Sequence, residues 1–271
     1  MCVYVNLIMS DCHDEVKNII TRLEEIHKAI DELKPKNEIN IFSKPLPSPD
    51  MAILVGFPGS GLVGSIALQY MVDQLEFELI GTMTSKFFPP LAMMNKGVIN
   101  DPVRIYAKNE IAVVVADIPI LPMICYEIAN GFLDWLAPFR PKEVVTIAGI
   151  ITNEPEKRVF GVATTMEALP RIADLTLILP IGSISGIASS ILTECKVRGI
   201  PGYGLLGDTV NAPDPRSSAA TIDVLNKMYN LSLDTQPLLE QAVEIEQSMG
   251  KLAEEVQSAE QAPKKDLPMY G

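Results

Sequence analysis

Histidine is nearly missing from this sequence. Its two, His13 and His27, both precede residue 37, so the stretch from Met51 onward has none. That excludes Ser-His-Asp and Cys-His catalysis there, along with most transition-metal sites. Cysteine is also sparse: Cys2, Cys12, Cys125 and Cys195 are scattered, with no C-x-x-C pair. Such spacing reads as free thiols of a cytosolic protein and leaves no structural zinc site to expect. Basic residues are outnumbered, with 22 Lys and Arg against 34 Asp and Glu, for a net charge of −12. Duplex phosphates need a basic face and so does an anionic membrane surface, so neither is an expected partner. Long apolar runs are absent too. The longest, Ile111–Ile128, is broken by Asp117, Pro119 and Pro122. The start, "MCVYVNLIMS", lacks the basic region and cleavage site of a signal peptide and is far shorter than the ~20 apolar residues that span a bilayer. A soluble, cytoplasmic protein is expected.

What is present suffices for a substantial core: 271 residues, 48% of them hydrophobic. Four regions are expected. Residues 1–36 form an N-terminal helical appendage, in which Val16, Ile19, Ile20, Leu23, Ile26, Ile30 and Leu33 share one helical face over 14–34. Residues 37–232 form an α/β domain, with strands near 39–42, 52–57, 77–84, 103–107, 111–117, 143–150, 158–163, 175–179 and 203–207. Helices fall near 61–75, 123–137, 184–198 and 214–229. Segments such as "IAVVVADI" and "LTLILP" are apolar throughout, as parallel strands covered on both faces are. The alternation predicts three α/β/α layers around a largely parallel sheet, with a hairpin turned at "KNE". Trp135 reads as core. Residues 233–260 form an amphipathic helix in which Leu238, Ala242, Ile245, Met249, Leu252, Val256 and Ala259 make a heptad seam. That seam suits another subunit or the helix's own domain. Residues 261–271 form a polar, Pro-containing tail, expected to be extended and mobile.

"VGFPGSGLVGSIA", residues 55–67, has the look of a phosphate cradle. Gly59, Gly61 and Gly64 fit G-x-G-x-x-G between a strand and a helix. A dinucleotide site also needs an acid at the end of the next strand, and here that strand ends "GTMTSK". The Walker frame fails as well, because Ser65 stands where its lysine must be. The glycines therefore read as a tight turn that lets the helix pack closely, though exposed amides can still take an anion. No cofactor and no metal are expected. Ser60, Ser183 and Ser185 fail the G-x-S-x-G elbow. Asp117 and Asp208 at strand ends, and Glu127 on the helix that follows, are the carboxylates placed for acid–base work, and capping or solvated roles are commoner for such groups.

"GFPGSGLVGSIA" (56–67), "ITNEPEKRVFGVAT" (151–164), "GSISGIASSILTECKVRGIPGYGLLGDT" (182–209) and "APDPRSSAATIDVLN" (212–226) together resemble the archaeal branch of the proteasome assembly chaperone family. The resemblance covers about Met51–Leu239; residues 1–36 depart from it. It implies an α/β fold similar to nucleoside phosphorylases without their active site, no enzymatic activity, self-association, and binding to proteasome α-subunits. The ending Met269-Tyr270-Gly271 then matches the hydrophobic–Tyr–any-residue terminus that inserts between neighbouring α-subunits. The expected protein is a homo-oligomeric assembly chaperone or activator that docks this tail on the core particle. The alternative is an enzyme or sensor holding a nucleoside-like molecule in the crevice at the sheet edge.

Overall fold

The computed structural model describes residues 38–152, 156–210 and 212–244, and Arg22 before them. The helix expected over 14–34, the seam beyond residue 244 and the tail 261–271 lie outside the described residues. The chain divides into two units, Met1–Glu38 and Ile39–Gly271, and the second holds everything that follows.

Nine strands form one sheet in the order β1-β3-β6-β7-β2-β8-β11-β9-β10. They are β1 Ile39–Ser43, β2 Ala52–Gly56, β3 Glu78–Ser85, β6 Val103–Lys108, β7 Ile111–Ala116, β8 Glu143–Ile151, β9 Val159–Ala163, β10 Leu177–Ile178 and β11 Gly202–Thr209. The central four, β7-β2-β8-β11, run parallel. The hairpin β6–β7 turns at Asn109 and Glu110 and continues antiparallel through β3 to β1, while β9 runs antiparallel to β11 on the other side. A separate two-stranded ribbon, β4 Met94–Asn95 and β5 Val98–Ile99, lies between β3 and β6 in the chain.

The central strands are apolar throughout because successive side chains enter opposite layers. Ile53, Val55, Val114 and Val144 face a core with Ile128, Phe132 and Leu136 of helix α2, Cys125–Leu136. Ile191 of α4, Ile187–Val197, belongs to that core too. Leu54, Val113 and Val145 face the other core, with Leu68 and Met71 of α1, Val63–Gln74, and Ile222 and Leu225 of α5, Pro215–Tyr229. This is the expected α/β fold of three layers. Trp135 packs on the first core, between Phe132 and Phe139, and its indole N–H donates to Ser43 Oγ at 3.1 Å. Asp214 caps α5 by accepting from Ser217 N at 3.1 Å, with Pro215 at the first helical position. No helix among the described residues is long and apolar enough to cross a membrane.

An ion pair on a buried carboxylate fastens the N-terminal end of the central strands. Glu143, at the start of β8, is 2% exposed. It accepts from Arg171 Nε and Nη2, at 2.7 and 2.8 Å, and from the Tyr229 hydroxyl at 2.9 Å. Arg171 lies on α3, Pro170–Ala173, and Tyr229 is the last residue of α5, so one carboxylate joins three elements. Residues 236–244 are helical, and Leu238 and Ala242, the first two seam positions, are each 3% exposed. Leu238 packs into the α1–α5 core of its own chain, which removes it from the set of free interface residues.

Candidate functional site

Parallel strands bring their C-terminal ends to one edge of the sheet, where open α/β sheets usually hold ligands. Here that edge carries a cavity of about 380 Å³, between the ends of β2 and β8 and the start of α4. Phe57, Ile120, Ile147, Ile184, Ile187 and Leu206 are among the residues of its apolar wall. Ser60 of the glycine loop and Ser183 and Ser185 of the segment before α4, far apart in sequence, meet at this cavity. No ionisable side chain lines it among the described residues. A pocket so lined can hold apolar groups and offer hydroxyls or backbone amides, and its described residues include no general acid or base.

The glycine loop borders the cavity and is tied down from behind. Gly61 has φ 64, in the left-handed region, and a Cβ there would collide with the Thr209 hydroxyl. Leu62, at φ 51, is left-handed too, so α1 starts at Val63 rather than at 61 as its sequence predicts. Gly64 lies so close to β8 that a Cβ would run into the Ile147 carbonyl oxygen. Gly59 differs: it is extended, at φ −159, and a Cβ would touch nothing. The Gly61 carbonyl accepts from Asp214 N at 2.9 Å. Lys157 Nζ lies 3.2 Å from Asp214 Oδ2, and Thr209 Oγ1 donates to the same oxygen at 3.0 Å. Gly61 and Gly64 thus serve close packing, and the nearby ammonium is held by a buried carboxylate.

The three candidate carboxylates are not brought together. Asp117, just past β7, accepts from Arg104 Nη1 and Nη2 and from Asn100 Nδ2. Burial pushes its carboxyl up, but the Arg104 bond and charge, with Asn100, hold it below the ordinary value. Asp208, wholly buried at the end of β11, accepts from the Thr152 hydroxyl and from Arg158 Nη2. Glu127 is exposed in the first turn of α2. Burial pushes the Cys195 thiol up to about 12 and raises that of Cys125, so neither is a thiolate nucleophile at neutral pH. No group of His, Cys, Asp or Glu that could hold a metal ion occurs among the described residues.

The ribbon β4–β5 is the feature the sequence did not disclose. Met94, Val98 and Ile99 are each 68% exposed, and Leu91 and Met93 lead into them, also exposed. The ribbon leaves the sheet between the end of β3 and the start of β6. Val103 of β6 pairs with Ala116, the last residue of β7, so the ribbon and the cavity share one edge.

The sequence model of the PAC2 family matches residues 53–253. An uncharacterized protein of Methanocaldococcus jannaschii is 33% identical over 219 residues, 80% of this chain and 92% of that one. Among solved structures, Pyrococcus furiosus PbaA, described as an archaeal homologue of proteasome-assembly chaperone, has TM-score 0.73 and 33% identity. That match covers 82% of this chain and 94% of PbaA. Pyrococcus furiosus PbaB, described as an archaeal proteasome activator, superposes with TM-score 0.72 at 23% identity, over 80% of this chain and 99% of its own. At that identity PbaB attests the fold.

Proposed function

We propose that this chain, which belongs to the PAC2 family, is a non-enzymatic, cytoplasmic, proteasome-binding protein. It self-associates, acts as an assembly chaperone or activator, and docks Met269-Tyr270-Gly271 into pockets of the core-particle α-ring. The observation that carries the reading is the 33% identity to PbaA across 82% of the chain. The described lining of the cavity offers serine and threonine hydroxyls and backbone among apolar side chains, a surface suited to binding. Among the described residues of its lining no carboxylate or amide side chain is placed to read a base or ribose, so a nucleoside-like ligand is the weaker reading.

The tail supplies three handles. Met269 brings a flexible apolar side chain, Tyr270 aromatic area with a hydroxyl, and Gly271 a carboxylate that can pair with a pocket lysine. Single tails bind weakly, and several on one oligomer gain by effective concentration. The deciding experiment is a pull-down of core particles, and separately of free α-subunits, by wild-type protein and by a variant lacking residues 269–271. Capture of core particles by wild type alone is expected. Equal capture by both moves the contact to the α/β domain, and capture of neither target removes the proteasome reading.

A further inference from the structure

The C-terminal edge of the sheet carries a projection and a recess of the same chemistry. The projection is the β4–β5 ribbon. Its two-residue turn, Lys96 at φ 50 and Gly97 at φ 80, is the left-handed pair that closes a tight hairpin. Met94 and Ile99 pair on one face and Val98 lies on the other, and all three are 68% exposed, so both faces stand largely uncovered among the described residues. A two-stranded ribbon is marginal in water by itself and calls for a further element to cover it. The recess is the cavity walled by Phe57, Ile120, Ile184 and Ile187.

We propose that the ribbon of one copy seats in the sheet-edge cavity of another copy. The proposal rests on the self-association proposed above and says where it happens. Charge favours this occupant. Each copy carries −12, so two copies repel wherever acidic surfaces meet. Between Phe87 and Asn100 the sequence has a single charge, Lys96, and the described cavity lining has none. The ribbon is also held in position before binding. At its base Asn100 N donates to Met93 O at 2.9 Å, and Asn100 Nδ2 donates to Asp117 Oδ2 at 3.2 Å. Arg104 fixes that carboxylate in turn, so little orientation is lost when the tip docks. Met94 adds a side chain that adapts to an irregular wall. The contact joins two different surfaces, and every copy has one of each to offer.

The test is a directed cross-link. In full-length protein with Cys2→Ser and Cys12→Ser, Cys125 and Cys195 are buried and stay silent. Val98→Cys chains mixed with Ser185→Cys chains should form a disulfide-linked dimer under mild oxidation, which neither gives when oxidised alone. Independently, Met94→Asp with Ile99→Asp should bring the light-scattering mass down to the single chain's 29.6 kDa with an unchanged circular dichroism spectrum. An oligomeric wild type whose mixture does not cross-link, or whose mass survives the paired substitution, overturns the ribbon–cavity contact and leaves self-association standing. A monomeric wild type overturns both.

Discussion

Arg104 grips Asp117 with both arms of its guanidinium, Nη1 to Oδ2 at 2.5 Å and Nη2 to Oδ1 at 2.9 Å. The same arginine donates from Nη2 to Gln69 Oε1 and from Nε to the Tyr106 hydroxyl, at 2.9 Å each. One side chain thereby links β6, the end of β7, helix α1 and, through Asp117, the base of the ribbon.

Arg104→Met should therefore destabilise the domain by about 2 kcal/mol in urea denaturation, less than the 3–5 of a fully buried pair because both partners keep some solvent. The pH dependence has a definite sign. Asp117 titrates lower folded than unfolded, so its contribution is complete above the ordinary carboxylate range and is lost as pH falls through the folded value. The Tm difference between wild type and Arg104→Met should then shrink between about pH 6 and pH 2. A constant difference would show that the ion pair is not its source.

The glycines give a contrast within one loop. Gly64→Ala drives a methyl into the Ile147 carbonyl, a backbone atom of a central strand that cannot step aside. A loss of roughly 3 kcal/mol is expected. Gly59→Ala, at an extended position with open space, should change stability by no more than about 0.5 kcal/mol. Equal effects in matched urea melts would contradict the packing role assigned to Gly64.

Tyr229→Phe removes one hydrogen bond to the buried Glu143 carboxylate and leaves the Arg171 fork in place. A cost of about 1.5–3 kcal/mol follows for a bond to a charged acceptor. Burial, then the charge of Glu143, pushes the Tyr229 phenol well above its ordinary value. Its stabilising effect is thus complete below about pH 10 and is lost as pH rises further, when the unfolded chain ionises first. Wild type should lose stability above that pH more steeply than Tyr229→Phe, a difference visible in alkaline thermal melts.

Tyr270→Ala should weaken capture of core particles about tenfold or more if several tails act together, with fold and mass unchanged. The −12 charge implies attraction to any basic ring surface, so the association rate should also fall as salt rises. Surface plasmon resonance at two ionic strengths reads both effects, and wild-type rates in Tyr270→Ala would place the contact elsewhere.

The central strands were legible because burial on both faces leaves an unbroken apolar run, whereas "LTLILP", just as apolar, yields only the two-residue edge strand Leu177–Ile178, with Leu177 exposed. Ala52–Gly56 and Ile111–Ala116 are buried at every position. Helix starts were less so. The apolar period around residue 61 suits a helix, yet Gly61 and Leu62 are both left-handed and Gly61 lies against Thr209, so α1 begins only at Val63. The ribbon escaped notice because two residues per strand give no period to read. The Arg104–Asp117 and Glu143–Arg171–Tyr229 clusters escaped it because their members meet only once the strands are ordered. The cavity's serines belong to the same class: no local motif brings Ser60 to Ser183 and Ser185, more than 120 residues away in sequence.

The strand order also sets a timetable. Strand β2 is made early, yet its neighbours are β7 and β8, and the second begins at Glu143, long after Gly56 leaves the ribosome. At about 5–20 residues per second, this fully apolar strand waits several seconds for its second partner. The sheet closes only when β11, residues 202–209, slots between β8 and β9. Such long-range pairing is slow and leaves sticky edges open meanwhile. A chain ordered in this way would depend on shelter during synthesis, and its yield should fall when translation is fast and holding chaperones are scarce.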